Sequence, residues 1–106
     1  MILTPAAAIS GHRIVKTIGL VKGNTIRARH VGKDILAGLK NLVGGEIEEY
    51  TKMLAEAREQ ALDRMVAEAQ DKGANAITDV RFATSYIMGA ASEIMAYGNA
   101  VVIEPG

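Results

Sequence analysis

The sequence predicts an α+β fold in which two helices, one short and one long, lie on one face of a mostly antiparallel sheet. A long amphipathic segment after Gly44-Gly45 predicts the main helix, and it ends at Gly73. Two strand-like segments follow it with only a short connection between them, which predicts a hairpin. Since strands and helices do not alternate, the expected order is β-α-α-β-β within one domain covering residues 1–106.

The first strand is predicted at residues 14–26, which read IVKTIGLVKGNTI and are rich in β-branched side chains. The pattern is compatible with one long strand or an interrupted one, with Gly23-Asn24 as a possible turn or bulge. Residues 3–10 are compatible with a short additional strand. Pro5 would restrict that strand to an edge or an end of the sheet, because proline lacks the N–H that pairs with a neighbour.

Both helices are predicted from apolar residues at helical spacing. Residues 34–43 form the short helix, and Gly44-Gly45 end it because glycine readily adopts the left-handed conformation. The long helix begins at Glu46. Its apolar arc comprises Tyr50, Met53, Leu54, Ala57, Ala61 and Met65.

The strands of the predicted hairpin cover residues 76–88 and 93–104, and their short connection favours antiparallel pairing. The last strand is apolar on both faces. Ile94, Ala96, Ala100 and Val102 lie on one face, and Met95, Tyr97, Val101 and Ile103 lie on the other. A sheet covered by helices on one side needs a second covering layer to bury both sets. We therefore expect a neighbouring copy of the chain to supply that layer.

Composition narrows the classes of function. The 12 basic and 12 acidic side chains balance, so no electrostatic footprint for nucleic acid or an anionic membrane is expected. The absence of cysteine excludes disulfides and thiolate metal sites. No apolar run approaches the roughly 20 residues of a membrane span, and the first residues do not resemble a signal peptide. We expect a soluble cytoplasmic protein with no nucleic-acid or membrane partner.

The chain contains no recognisable catalytic or phosphate-binding motif, so no catalytic residue is assigned. Arg58, Arg64 and Glu68 fall on or beside the apolar arc of the long helix. They are interpreted either as interface or buried ion-pair residues, or as parts of a polar-ligand pocket at a subunit boundary. Arg81 and Glu93 are candidates to join such a pocket from the hairpin.

The evidence for a metal site is weaker still. His12 and His30 are far apart and lack a metal-like spacing, so solvated histidines are the ordinary interpretation. A ring of copies would gather either histidine into a group of imidazoles. Methionines at helical or strand spacing are more often core residues than soft-metal ligands. The metal ligands are therefore unknown, and the cofactor is unknown with a metal ion as one candidate.

The chain resembles the YbjQ-like family, whose domain is named for heavy-metal binding. The matching residues span nearly the whole chain. They include Gly44-Gly45, EYT at 49–51, ARE at 57–59, GANAI at 73–77, VRF at 80–82 and EIMAYGNAVV at 93–102. Asn99 stands where the family pattern more often has threonine. The resemblance implies a small α+β subunit that assembles into a ring-like homo-oligomer, a homopentamer.

Two hypotheses of function follow. The first is a non-enzymatic homo-oligomer that binds a metal ion or small ligand at its subunit interfaces, with other copies of the chain as its partners. The second is an enzyme whose active site is shared between subunits and uses Arg58, Arg64 and Glu68. The lack of catalytic spacing favours the first.

Overall fold

The computed structural model describes residues 1–27, 45–87 and 91–106, which form a four-stranded sheet with one long helix on one face. The elements are β1 (Ile2–Leu3), β2 (His12–Arg27), α1 (Gly45–Asp71), β3 (Ala76–Ile87) and β4 (Ala91–Pro105). No helix in these ranges combines the length and the hydropathy that crossing a bilayer requires.

The sheet is mixed, with strand order β1-β3-β4-β2, so the expectation of a mostly antiparallel sheet needs correction. β4 pairs antiparallel with both β2 and β3, as the predicted hairpin requires. β1, however, runs parallel to β3, with Ile2 opposite Ala76 and Leu3 opposite Ile77. This pairing joins residues far apart in the chain, and no local pattern specifies it.

The expectation of two helices in the order β-α-α-β-β was also wrong, since the described residues contain one helix, α1, and follow the order β-β-α-β-β. The predicted short helix over 34–43 lies outside the described residues. The fold of the single chain gives the ring-like homo-oligomer no support. Assembly depends on surfaces that several copies bring together, so the shape of one subunit does not determine it.

β2 is one continuous strand, and Gly23-Asn24 is neither a turn nor a bulge. The irregularities lie earlier, between Ile14 and Lys16 and between Thr17 and Gly19. Gly23 has a different role. A β-carbon there would overlap the backbone of Ala61 and Met65 in α1, so glycine permits the strand and the helix to approach closely.

Helix α1 packs its predicted apolar arc against the sheet. Ala57, Ala61 and Met65 are completely buried, and the next turn adds Ala69. Their partners are on the facing strands and include Val21, Ile77, Ile94, Ala96 and Ala100. Gly73 takes the left-handed conformation, with φ of 86°, and the Ala74 N–H donates to the Ala69 carbonyl, which confirms the predicted end of the helix.

The second face of β4 is covered at one end by the chain itself. Val101 and Ile103 are buried there with Ala76. Ile9 packs on them and belongs to the N-terminal segment, which comprises the residues before β2 (1–11). The N-terminal segment therefore supplies part of the layer that we expected from a neighbouring copy. The remaining stretch of this face, around Met95 and Tyr97, is only half-buried.

Candidate functional site

Two charged side chains of α1 lie against the outer edge of β2. This edge has no strand beside it among the described residues, because β2 is last in the sheet and pairs only with β4. The Glu68 carboxylate accepts a hydrogen bond of 3.2 Å from the Lys22 backbone N–H. The Arg64 guanidinium donates to the Asn24 backbone carbonyl. The helix thus satisfies one donor and one acceptor of the strand edge.

Asn24 also connects this edge to β4. Its side-chain Nδ2 donates to Oε2 of Glu93 at 3.2 Å, while its carbonyl receives Arg64. Glu68 additionally forms an ion pair with Lys72 at 3.4 Å, one helical turn further on. We refer to Lys22, Asn24, Arg64, Glu68 and Glu93 as the edge cluster.

The edge cluster contains three of the five residues that the sequence suggested for an interface or polar pocket, namely Arg64, Glu68 and Glu93. Arg64 and Glu68 do not pair with each other, because Asn24 and Lys72 are their partners instead. Both charges are largely engaged with the chain itself. Such contacts favour a role in positioning over a role as free catalytic groups.

Arg81 and Arg58 are separate from the edge cluster. Arg81 donates from Nη1 to the carbonyls of Pro5, at 2.8 Å, and Val80, at 2.9 Å, and so holds the N-terminal segment against β3. Arg58 is exposed on α1 and makes no hydrogen bond or ion pair with the described part of the chain. The five suggested residues therefore do not form one pocket within a single subunit.

A second polar group surrounds Asp79, which lies in an irregularity of β3 and has a positive φ of 54°. Its Oδ2 accepts from the Asn99 amide at 3.2 Å and from the Thr78 hydroxyl at 3.3 Å. Its backbone N–H donates to the Ala6 carbonyl. The backbone bond fastens the N-terminal segment to β3, and the side-chain bonds connect Asp79 to β3 and β4.

The histidines do not define a metal site. His12 is exposed at the start of β2, and its Nδ1 lies 3.0 Å from the Ser10 carbonyl oxygen. His30 lies outside the described residues. Over residues 1–27, 45–87 and 91–106, no three or more His, Cys, Asp or Glu side chains come together as a metal would require. The metal ligands stay unassigned.

Around the middle of β2 and β4, no element of residues 1–27, 45–87 and 91–106 covers the sheet face opposite α1. Directly paired residues of antiparallel strands point to the same face, so cross-strand register identifies its members. We call this surface the open face: Leu20, Lys22, Asn24 and Ile26 from β2 with Glu93, Met95, Tyr97 and Asn99 from β4. Leu20 and Ile26 are 61% and 59% exposed, which is high for such large apolar side chains.

A small apolar cleft lies at the opposite edge of the sheet, between the N-terminal segment and α1. Its volume is about 240 Å³, and its lining is Leu3, Thr4, Pro5, Leu62, Val80 and Phe82. Thr4 contributes its only side-chain polar atom, and that hydroxyl already accepts a bond from the Ala6 N–H at 3.1 Å. Ligand sites usually add convergent polar groups to an apolar wall, so this cleft is a weaker candidate than the open face.

Sequence reasoning overlooked Asn24, the residue that links Arg64 to Glu93. Its position after Gly23 indicated a possible turn or bulge, whereas its side-chain amide bonds to β4 and its carbonyl bonds to α1. The four-residue spacing of Arg64 and Glu68 was a usable signal that both occupy one side of the helix. Their backbone targets were not predictable, because backbone groups are the same at every residue.

Known proteins resemble this chain over nearly its full length. A UPF0145 protein of Dehalococcoides mccartyi is 66% identical over 104 residues, which is 98% of this chain and 100% of the relative. A UPF0145 protein of Methanoculleus marisnigri is 55% identical over 105 residues, covering 99% and 98% of the two chains.

A solved structure confirms the fold. The crystal structure of a DUF74 family protein of unknown function from Pediococcus pentosaceus aligns with a TM-score of 0.65 and covers 98% of both chains. Its sequence identity is 17%, so this likeness concerns the fold alone. The YbjQ family model, described as "Putative heavy-metal-binding", matches residues 1–104. With this match and the close UPF0145 relatives, the chain belongs to the YbjQ-like family.

Proposed function

We propose that this protein is a subunit of a homo-oligomer and binds a metal ion or another small ligand where its copies meet. The observation that carries the proposal is the open face, where Leu20 and Ile26 expose most of their apolar surface beside half-buried Met95 and Tyr97. Large apolar side chains that a sheet face leaves exposed on both sides of half-buried apolar residues are typical of a contact surface. A second copy of the chain is the occupant that we propose.

The accessible surface of the chain supports this occupant. It measures 6605 Å², whereas a compact monomer of 11.2 kDa exposes about 5,700 Å². The excess of about 900 Å² is close to the roughly 800 Å² that each partner buries in a standard interface. The chain thus exposes the additional area that one interface needs.

The shape of the chain agrees with its surface area. Its radius of gyration is 17.0 Å and its extents are 55 × 25 × 17 Å, whereas a compact domain of this length has a radius of about 13 Å. The shortest extent of the chain, 17 Å, accommodates the sheet with α1 on one face and leaves little room for a covering layer on the second face. Covering by another copy would provide that layer.

The polar border of the open face supplies groups that fit ligand binding at such a contact. Glu93 and Asn24 offer oxygen atoms, and Met95, which pairs with Asn24 across the two strands, offers a thioether sulfur. Oxygen ligands suit hard cations and thioethers suit soft ones, so the class of metal depends on which atoms the copies combine. The family description supports a metal ion as one candidate.

The enzyme hypothesis has weaker support. It relied on Arg58, Arg64 and Glu68, and two of these are bonded to the backbone of β2. The balanced charge supports the prediction of no nucleic-acid or membrane partner. The homopentamer that the resemblance implies is the stoichiometry that we propose to test, and the cytoplasm stays the predicted location.

The oligomer is tested by native mass spectrometry and light scattering of the intact chain at micromolar concentration. We expect wild type to show a defined multiple of the subunit mass and L20K/I26K to shift toward monomer, because a charged side chain at either position opposes burial against a second copy. A55K/A67K is the matched control, since both alanines are exposed on α1. The proposal would be contradicted if wild type were monomeric, or if L20K/I26K formed an assembly with the same number of subunits as wild type.

Ligand binding is tested separately by measuring the metal content of untagged protein after exposure to Zn²⁺, Cu⁺ and Ni²⁺ in turn. A site where copies meet predicts a fixed ratio of metal to subunit in wild type and in A55K/A67K. The dissociated L20K/I26K variant should retain at most about a tenth of that ratio. Equal binding by the dissociated variant would place the site within one subunit and overturn the interface assignment.

A further inference from the structure

We propose that Arg64 and Glu68 guard the outer edge of β2 against the addition of a strand from a second copy. An unpaired strand edge is a ready template for pairing with another chain. β2 is especially open to such pairing, because it spans 16 residues and carries large exposed apolar side chains, including Leu20 and Ile26. Arg64 and Glu68, which we call the guard, bond to the backbone of Asn24 and Lys22 between these two side chains.

The geometry of a helix beside a strand explains why these two side chains suit the task. Arg64 and Glu68 are four residues apart, so they are separated by about 6 Å along the helix axis. Lys22 and Asn24 are two residues apart, which is about 6.6 Å along a strand. The two spacings are similar. Glu68 therefore reaches the N–H of Lys22, while Arg64 reaches the carbonyl of Asn24, two residues further along the strand.

Close packing keeps the guard within reach of the strand. Gly23 lies between the two guarded residues and directly against α1, and a β-carbon there would come within 2.8 Å of the Arg64 β-carbon. The base of the Arg64 side chain is thus fixed beside β2. Ala61 and Met65, completely buried on the same helix, hold α1 in that position.

Strand addition at residues 22–24 of β2 would have to break both charge-assisted bonds and displace the helix side chains. Hydrogen bonds to ionised groups are stronger than those between neutral groups, so an incoming strand would compete with good partners. The guard therefore directs association of copies away from this edge and toward other surfaces. The inference concerns the single subunit, and it holds whether or not the open face binds a second copy.

The test compares R64M/E68M with R58M/E59M. Each variant replaces one arginine and one glutamate of α1 with methionine, but Arg58 and Glu59 are exposed and make no hydrogen bond or ion pair with the described residues. At low concentration, hydrogen exchange of the Lys22 amide should become at least tenfold faster in R64M/E68M and stay at the wild-type rate in the control. E68Q retains an acceptor and should preserve most of the protection.

At high concentration, sedimentation velocity should show R64M/E68M in species larger than those of wild type, with added β-structure by infrared spectroscopy. Unchanged Lys22 exchange would overturn the inference, because the contacts would then protect nothing. Faster Lys22 exchange in R64M/E68M without species larger than those of wild type would also overturn the inference. The contacts would then protect the Lys22 amide without preventing association of copies. If R64M/E68M fails to fold, E68M alone provides the same two measurements, and neither uses the open-face variants that test the oligomer.

Discussion

Gly23 of β2 lies directly against the backbone of Ala61 in α1, so that a β-carbon at Gly23 would overlap the Ala61 carbonyl oxygen. The same added carbon would meet the Met65 backbone nitrogen. Helix and strand therefore touch through main-chain atoms. This contact sets the distance across which Arg64 and Glu68 reach the edge of β2.

Replacing Gly23 with alanine should lower the free energy of unfolding by more than the roughly 1–3 kcal/mol of ordinary overpacking, because backbone atoms form the obstacle. Urea denaturation measures the loss. G19A is the comparison, since Gly19 has open space around it and a φ of 127°. That variant should lose only the conformational cost of a positive φ that side chains rarely adopt, about 1–3 kcal/mol. Equal losses in the two variants would argue against the close helix–strand contact.

Two buried threonines should respond in opposite directions to replacement by valine, which has nearly the same shape. Thr25 is 3% exposed, and its hydroxyl has no hydrogen-bond partner among the described residues. T25V should therefore leave stability unchanged or raise it by about 1 kcal/mol, because an unpaired buried hydroxyl is removed. The Thr78 hydroxyl donates to Asp79, so T78V should cost about 1 kcal/mol. Thermal or urea unfolding of both variants checks the sign, and a loss at Thr25 as large as that at Thr78 would contradict the assignment.

Asn75 fastens the turn after α1 to the end of β4. Its Oδ1 accepts from the Ile103 N–H at 2.8 Å, and its Nδ2 donates to the Ile103 carbonyl at 2.9 Å. N75A should lower the free energy of unfolding by about 2–3 kcal/mol, because both bonds are lost and two backbone groups lose their partner. N75D retains the acceptor and should lie between N75A and wild type.

Amide exchange at Ile103 gives a local readout of the same contact and should accelerate in N75A. N99A is the control, since Asn99 is exposed and its amide makes one bond of 3.2 Å to Asp79. That variant should leave Ile103 exchange at the wild-type rate. If Ile103 exchanged equally in N75A and wild type, the fastening role of Asn75 would have to be abandoned.

The positive φ of Asp79 should make glycine better tolerated there than alanine. D79G and D79A both remove the bonds from Thr78 and Asn99, so their difference isolates the backbone conformation. We expect D79G to be more stable than D79A by about 1 kcal/mol in urea denaturation, because only glycine adopts a left-handed φ without steric cost. An alanine variant at least as stable as the glycine variant would show that the bulge relaxes on substitution.

The predictable parts of the structure are those that a single segment encodes. The apolar arc containing Ala57, Ala61 and Met65 indicated which side of α1 is buried, and Gly73 indicated where the helix ends. The hairpin of β3 and β4 was likewise predictable, because a short connection leaves antiparallel pairing as the simple solution. Most of the blocks that indicated the YbjQ-like family lie within α1, the turn after it and the hairpin.

The candidate site was predictable only in part. The sequence suggests Arg64, Glu68 and Glu93 together, and they belong to one cluster. Asn24, which joins Arg64 to Glu93, is indicated by the sequence only as part of a possible turn or bulge. Arg81 was suggested for the same pocket and instead holds Pro5. A charge beside an apolar arc therefore does not show whether the side chain has a partner or which partner it has.

The sequence by itself determined the long helix, its buried side, the hairpin and the family. Tertiary structure alone decided the parallel pairing of β1 with β3, the cover that Ile9 provides over Val101 and Ile103, and the capping of β2 by Arg64 and Glu68. The reason is physical: helical and strand periodicity is a property of side chains close in the chain. Pairing between distant strands uses backbone N–H and C=O groups that every residue other than proline carries, so only the folded arrangement selects among them.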